Sequence, residues 1–235
     1  KDSTHQYVRY YGWTRVDIVP ATSSYPGPNS TTRTYAQEMT NFANWYAWYR
    51  TRMQMTKTGV GQAFSKIRGT PISDLVDATD KNYFHARIGY STISETGVTD
   101  GGEFLTIRNF DSTQKTSWFN KLYGAAPSGN TPLMGALSKA GRIYAGKIGA
   151  DPIQYSCQRN FTMLSTDGYW NAITATYGPT KEDGVTLVGD QDKSATPPSY
   201  DKLAKANTLA DVAYYYYHTD LRPGTCSVCK NNVPP

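Results

Sequence analysis

The chain has 235 residues, 18% of them charged and 13% aromatic, with 19 tyrosines and a formal net charge of +5. A body of this size buries roughly 70–75% of the surface of its unfolded chain, enough for a real core, and so many rings exclude a disordered polypeptide. The charge is modest and spread out, its nearest approach to a cluster being Arg50, Arg52 and Lys57 on one predicted helix, which reads as a solvated face and argues against nucleic-acid binding; no apolar run nears the ~20 residues of a membrane-spanning helix.

The chain opens on Lys1-Asp2-Ser3, polar and without an initiator Met, and stops at Pro235 without a tail signal. It reads as a piece of a longer or processed protein. Residues 1–34 form an irregular lead-in rich in Tyr, Ser, Thr and Pro, with a short strand expected at 15–19 and turn material at Tyr25-Pro26-Gly27-Pro28-Asn29. Thr34 is a natural N-cap, with Gln37 three residues on as a capping box requires. Met39, Phe42, Tyr46, Tyr49, Met53, Val60, Phe64 and Ile67 then follow at alternating spacings of three and four. This predicts one long helix whose apolar stripe packs in the core, with Gly59 or Gly61 ending or kinking it.

Ala86–Ile93 and Phe104–Ile107 read as strands around the hairpin signal Thr99-Asp100-Gly101-Gly102. Asp111 caps a helix carrying Trp118, Phe119 and Leu122, closed by Gly124. Thr131 is placed as the N-cap of the next helix with Pro132 at its first position, and Leu133, Leu137, Ala140 and Tyr144 line one face. Asn160–Thr166, nearly continuous in apolar and β-branched residues, is expected as a buried parallel strand running into Asp167-Gly168. Residues 168–200 are expected as a surface insertion. A last helix, about Leu203–His218, is expected to carry Leu209, Val212, Ala213, Tyr216 and Tyr217 on its apolar face. This order of helices and strands is that of an α/β fold, in which ligands bind at the carboxyl ends of strands; the loops holding Thr131 and Asp167 land there.

Cys157, Cys226 and Cys229 are the three cysteines. The Cys226-x-x-Cys229 pair follows turn residues rather than a strand, and no second pair exists to complete a zinc site. A tight Cys226–Cys229 disulfide, or a bridge from Cys157 to either, suits an exported chain, and the odd count leaves one thiol over.

Four segments carry a resemblance. Asn41-Phe42-Ala43-Asn44-Trp45-Tyr46-Ala47-Trp48-Tyr49-Arg50-Thr51-Arg52-Met53, Gly129-Asn130-Thr131-Pro132-Leu133, the pair Ser156-Cys157-Gln158-Arg159-Asn160-Phe161 and Ser165-Thr166-Asp167-Gly168-Tyr169-Trp170-Asn171, and Asn207-Thr208-Leu209-Ala210-Asp211-Val212-Ala213 occur in that order. Together they resemble the von Willebrand factor A-like domain of PilC/PilY-type type IV pilus tip proteins. The resemblance implies an α/β fold of doubly wound, mostly parallel sheet with helices on both faces, spanning 35–222, with 223–235 as an exit segment. It implies export to the bacterial cell surface and pilus tip, a role in pilus assembly and adhesion, and minor pilins or a host or abiotic surface ligand as partners. The family's carboxy-terminal calcium propeller does not carry over, since no Asp-x-Asp-x-Asp-Gly loop is present.

The Asp-x-Ser-x-Ser metal loop of such domains is also absent; Pro20-Ala21-Thr22-Ser23-Ser24 has Pro where the Asp belongs. The domain is therefore expected to lack its first central strand and its last strands, with another chain or segment supplying the missing strand. By the same resemblance Thr131 and Asp167 are the metal-site residues, for Mg²⁺ or Ca²⁺, in an incomplete site. Asp190 and Asp192 read as solvated loop acids. Trp45, Trp48, Tyr214 and Tyr215 lie off the clearest core stripes and are the candidate partner-binding residues. An enzyme is not expected: His5, His85 and His218 lie in unrelated segments, and neither a Gly-x-Ser-x-Gly elbow nor a His-Glu-x-x-His motif occurs. A metal-independent capping or priming role in the pilus is the alternative, and a secreted hydrolase the remote one.

Overall fold

The computed structural model describes residues 16–67, 86–155, 158–168, 170–171, 176–191 and 205–223. The chain divides into two units, 1–58 and 59–235.

In the first unit, β1 (Tyr25–Pro26) pairs antiparallel with β2 (Thr32–Arg33). Tyr25 is buried, and its hydroxyl donates to Val19 O and accepts from Val19 N–H, both at 2.8 Å. Residues 16–19 form no strand, against expectation. The predicted capping box at Thr34 is present: the Gln37 amide donates to Thr34 Oγ1 at 3.3 Å and the Thr34 amide to Gln37 Oε1 at 2.9 Å. It opens α1 (Tyr35–Trp48).

The long helix expected from residue 34 to 67 is two helices. α1 stops at Trp48, and α2 (Arg52–Ser65) restarts after Thr51. The break repeats the chemistry of the start. The Thr51 amide donates to Gln54 Oε1 at 3.0 Å, and the Gln54 amide to Thr51 Oγ1 at 3.1 Å. Carbonyls orphaned at the end of α1 are taken up locally: Gln54 Nε2 donates to Ala47 O and Thr58 Oγ1 to Trp48 O, each at 2.9 Å. Gly59 and Gly61 neither end nor kink α2. The apolar stripe also divides. α1 has no buried residue, so core packing is corrected for Met39, Phe42, Tyr46 and Tyr49.

In the second unit, Val60, Phe64 and Ile67 do pack in a core, formed by Leu105, Phe110, Trp118 and Leu122. Phe64 stacks on Trp118 with ring centroids 4.3 Å apart. This core lies between the end of α2, the antiparallel hairpin β3 (Arg87–Ser91) and β4 (Phe104–Asn109), and α3 (Ser112–Gly124). Asp111 caps α3 as expected, its Oδ1 accepting from the Gln114 amide at 2.8 Å. The hairpin register shifts between Ile88 and Tyr90. Gly89 sits at the shift because a Cβ there would lie 2.7 Å from Leu105 O and from the Ile107 side chain. Buried Gln114 donates through Nε2 to Ile88 O and Thr106 O, satisfying carbonyls on both strands.

A second core joins α4 (Leu133–Tyr144) to α5 (Leu209–His218) through Met134, Val188, Val212 and Tyr215. Pro132, not Thr131, takes the N-cap position of α4, without a side-chain cap. Val188 is fully buried although it lies in the stretch 168–200 expected at the surface. α5 starts only after Thr208; residues 205–207 are not helical.

The helices and small sheets fit an α/β class. The doubly wound, mostly parallel sheet does not appear among the described residues, whose two sheets are two-stranded and antiparallel. Residues 160–166 are not a strand: Phe161 and Met163 are 79% and 77% exposed. A parallel strand is buried only with ladder partners and helices over both faces, and this segment has neither among the described residues. None of the described helices is long and apolar enough to cross a membrane.

Candidate functional site

The two expected metal loops come together at one hydrogen bond. The Thr131 amide donates to Asn171 Oδ1 at 2.8 Å, so the loop before α4 is tied to the segment just past Asp167. Thr131 O accepts from the Leu133 amide at 3.0 Å, Thr131 is half-buried, and Asp167 is exposed. One hydroxyl and one carboxylate are the right donor types for a hard divalent cation, which wants about six oxygens. Among the described residues no three His, Cys, Asp or Glu side chains converge. Cys157, Cys226, Cys229 and Asp192 lie outside the described residues. Asp190 is not solvated as expected, since its Oδ1 is buried.

The aromatic candidates separate by burial. Trp45 and Trp48 are 48% and 57% exposed. They stand on α1 beside Met39, Phe42, Tyr46 and Tyr49, all exposed, with the Phe42 ring 5.8 Å from Trp45 and 6.1 Å from Tyr46. Tyr214 is half-buried and stacked on His218 at 5.3 Å. Tyr215 is corrected as a partner-facing residue: it is 6% exposed and part of the second core. Its hydroxyl donates to Glu182, while Tyr216 donates to Thr180 O at 2.8 Å. Burial pushes the Tyr215 phenol up, and the Glu182 carboxylate adds to the shift. The apolar face of α5 is thus Leu209, Val212, Tyr215 and Tyr216, while Ala213 and Tyr217 face solvent. Four consecutive tyrosines offer every phase of the helix, and the acceptors at Thr180 and Glu182 select one.

The segment Asn207–Ala213 is a docking joint. Asn207 adopts a left-handed conformation with φ 64°. Its amide donates to Gly189 O and its Oδ1 accepts from the Gly189 amide, each at 2.9 Å. Thr208 and Asp211 form a capping box, and the fully buried Asp211 also accepts from the Gln191 amide at 2.6 Å. The box Thr208-x-x-Asp211 is visible in the sequence as a helix start; its grip on residues 189–191 is not.

A second buried polar centre, missed by sequence reasoning, is Lys139 on α4. Its Nζ donates to Ser91 Oγ at 2.8 Å, Glu95 O at 2.6 Å and Gly97 O at 3.2 Å, binding α4 to the β3–β4 connection. Burial lowers its pKa to about 8 against the pull of Glu95. The Glu95 carboxyl is itself held low by the Gly97 and Glu103 amides.

No protein-family profile matches the chain. No solved structure matches it either. The chain is similar to the type IV pilus biogenesis factor PilY1 of Pseudomonas aeruginosa. For strain PAK the identity is 29% over 214 residues, covering 85% of this chain and 17% of the relative. For strain PAO1 it is 29% over 223 residues, covering 86% and 18%, and for strain UCBPP-PA14 it is 30% over 192 residues, covering 78% and 15%. The chain therefore spans less than a fifth of the length of these relatives. The similarity supports a relationship to PilY1-type pilus biogenesis factors.

Proposed function

We propose that the chain is a non-enzymatic docking module of a type IV pilus biogenesis protein, acting at the bacterial cell surface or pilus tip and engaging minor pilins through α1. The observation that carries this reading is α1 with the turn that follows it: every residue from Met39 to Thr51 is exposed, and Phe42, Trp45, Tyr46, Trp48 and Tyr49 stand among them. Large exposed apolar patches mark interaction sites, and Trp and Tyr dominate the energetics of such contacts. The similarity to PilY1 factors supplies the pilus context. The paired substitution Trp45→Ala/Trp48→Ala in the full-length protein is expected to cut surface piliation and recovery of minor pilins, in excess chelator, by roughly tenfold or more. Normal piliation at normal protein levels would overturn the reading.

The second reading is metal-dependent adhesion to a host or abiotic surface through Thr131 and Asp167, favoured by the Asn171 bond that ties their loops. It belongs with a partial von Willebrand A-like domain whose central strand comes from another segment or chain. We expect Mg²⁺ or Ca²⁺ at about 5 mM to leave the melting temperature of this chain, read as an incomplete site, within about 1 °C of its metal-free value. A rise that Asp167→Ala abolishes would move metal-mediated adhesion to the front.

A further inference from the structure

An open cleft of about 360 Å³ lies where the β3–β4 hairpin ends and α3 begins. The ladder sets Arg87 opposite Asn109 and Ile88 opposite Arg108, so both arginines stand at this end of the hairpin and border the cleft. Arg87 is held from two sides, its Nη1 donating to Pro152 O and its Nη2 to Ile107 O at 3.3 Å. Its Nε is buried without a partner, and among the described residues Arg87 forms no salt bridge. The nearby Asp151 is taken by Arg222 at 2.7 Å. The Arg108 side chain is 59% exposed and spends Nη2 on Asp100 at 2.6 Å. Asn109, Thr113 and Gln154 also line the cleft, and their side chains make no hydrogen bond among the described residues. Asp111 uses one carboxylate oxygen, Oδ1, to cap α3.

A half-buried cation without a carboxylate partner is costly, and an arriving anion offsets that cost. Arg87 is such a cation, fixed in place by main-chain carbonyls. Arg108 supplies the contact, because the free edge of a guanidinium meets a carboxylate with two donors. A bare oxyanion does not match the rest of the lining. The Asp111 carboxylate only accepts and would repel it, while the amides of Asn109 and Gln154 each offer donors and an acceptor. Hydroxyls fit both, since they donate to a carboxylate and accept from an amide. We infer that the cleft binds a hexuronic acid, its carboxylate on Arg108 in the field of Arg87 and its ring hydroxyls on Asp111, Asn109 and Gln154. An apolar ligand is excluded, because it would strip these groups of water without pairing them. The adjoining cleft of about 370 Å³ across the two arginines offers less, since its acids, Asp100 and Asp151, are already paired with Arg108 and Arg222. The inference concerns the second unit alone and does not rest on docking through α1.

The test titrates the whole chain by calorimetry with glucuronate and galacturonate, and with glucose, acetate and inorganic phosphate as controls. The uronates are expected to bind at least about tenfold more tightly than glucose or acetate at low salt, with the advantage over glucose shrinking as ionic strength rises to about 0.5 M. Arg108→Gln, at an exposed position, should weaken uronate binding at least about tenfold and leave the circular dichroism unchanged. Asp100→Asn frees the Arg108 edge and should move affinity the other way, tightening it about two- to fivefold. A short oligogalacturonate that binds more tightly than the monomer assigns a polysaccharide as the source, and equal affinity assigns the free acid. Glucose binding as tightly as glucuronate, acetate or phosphate matching it, no uronate heat up to about 50 mM, or uronate binding untouched by Arg108→Gln overturns the inference.

Discussion

Asp211→Ala is expected to destabilise the second unit by about 3 kcal/mol, a loss comparable to deleting a large core side chain. Asp211 is fully buried at the third position of α5. One carboxylate oxygen accepts from the Thr208 amide at 2.8 Å and the Thr208 hydroxyl at 2.9 Å; the other accepts from the Gln191 amide at 2.6 Å. Alanine leaves two backbone donors without partners in a poorly hydrated place, removes an anion from the positive end of a helix dipole, and frees the 189–191 turn that seats Val188 in the core. Thr208→Ala touches only the cap and should cost about 1 kcal/mol. Asp211→Asn keeps the shape but turns one acceptor into a donor facing Thr208 or Gln191, and should fall between. For a chain of this size the Ala variant should melt roughly 6–12 °C lower. Urea unfolding followed by near-ultraviolet circular dichroism measures the difference; a change under about 0.5 kcal/mol would mean that water replaces the carboxylate and the joint is not structural.

What was legible in the sequence was local. The caps at Thr34 and Asp111, the β3–β4 hairpin and helices α3 and α4 follow from short-range rules; the structure places the helix starts within a residue of expectation and the strand ends within two. Periodicity failed where it was asked what covers a face. Spacings of three and four established that α1 is amphipathic, yet an amphipathic helix awaiting a partner has the same pattern as one packed in a core. The break at Tyr49–Thr51 was also written locally, as a second capping box at Thr51 and Gln54, but an unbroken apolar stripe outvoted it. Residues 160–166 have strand composition without strand partners among the described residues, and composition says nothing about ladders. For the candidate site, the two tryptophans of α1 were legible as residues off the core stripe, while Tyr215 was not separable from its three tyrosine neighbours until Glu182 and Thr180 were placed beside α5.

Lys139 sets the other large expectation, because one buried ammonium holds two substructures together. Lys139→Ala should cost about 3 kcal/mol, from a cavity where the aliphatic stem lay and from three acceptors losing their donor. Lys139→Met fills the stem's volume and should cost less, about 1–2 kcal/mol, by leaving Ser91 Oγ and the Glu95 and Gly97 carbonyls unmatched. The pH dependence separates charge from packing. Lys139 titrates at about 8 in the folded chain against an ordinary value of 10.5. Between those values the unfolded chain carries a proton the folded one has released, so this residue's contribution rises with pH across the window and is lost as pH falls through 8. Tyr215 and Tyr216, whose phenols are raised by burial, act in the opposite sense above pH 10 and are common to both proteins. The quantity to measure is therefore the difference in unfolding free energy between the unsubstituted chain and Lys139→Met at pH 7 and at pH 9.5. It should grow in favour of the lysine at the higher pH; a difference independent of pH would mean that Lys139 stays fully charged in its pocket and that its three acceptors outweigh the loss of water.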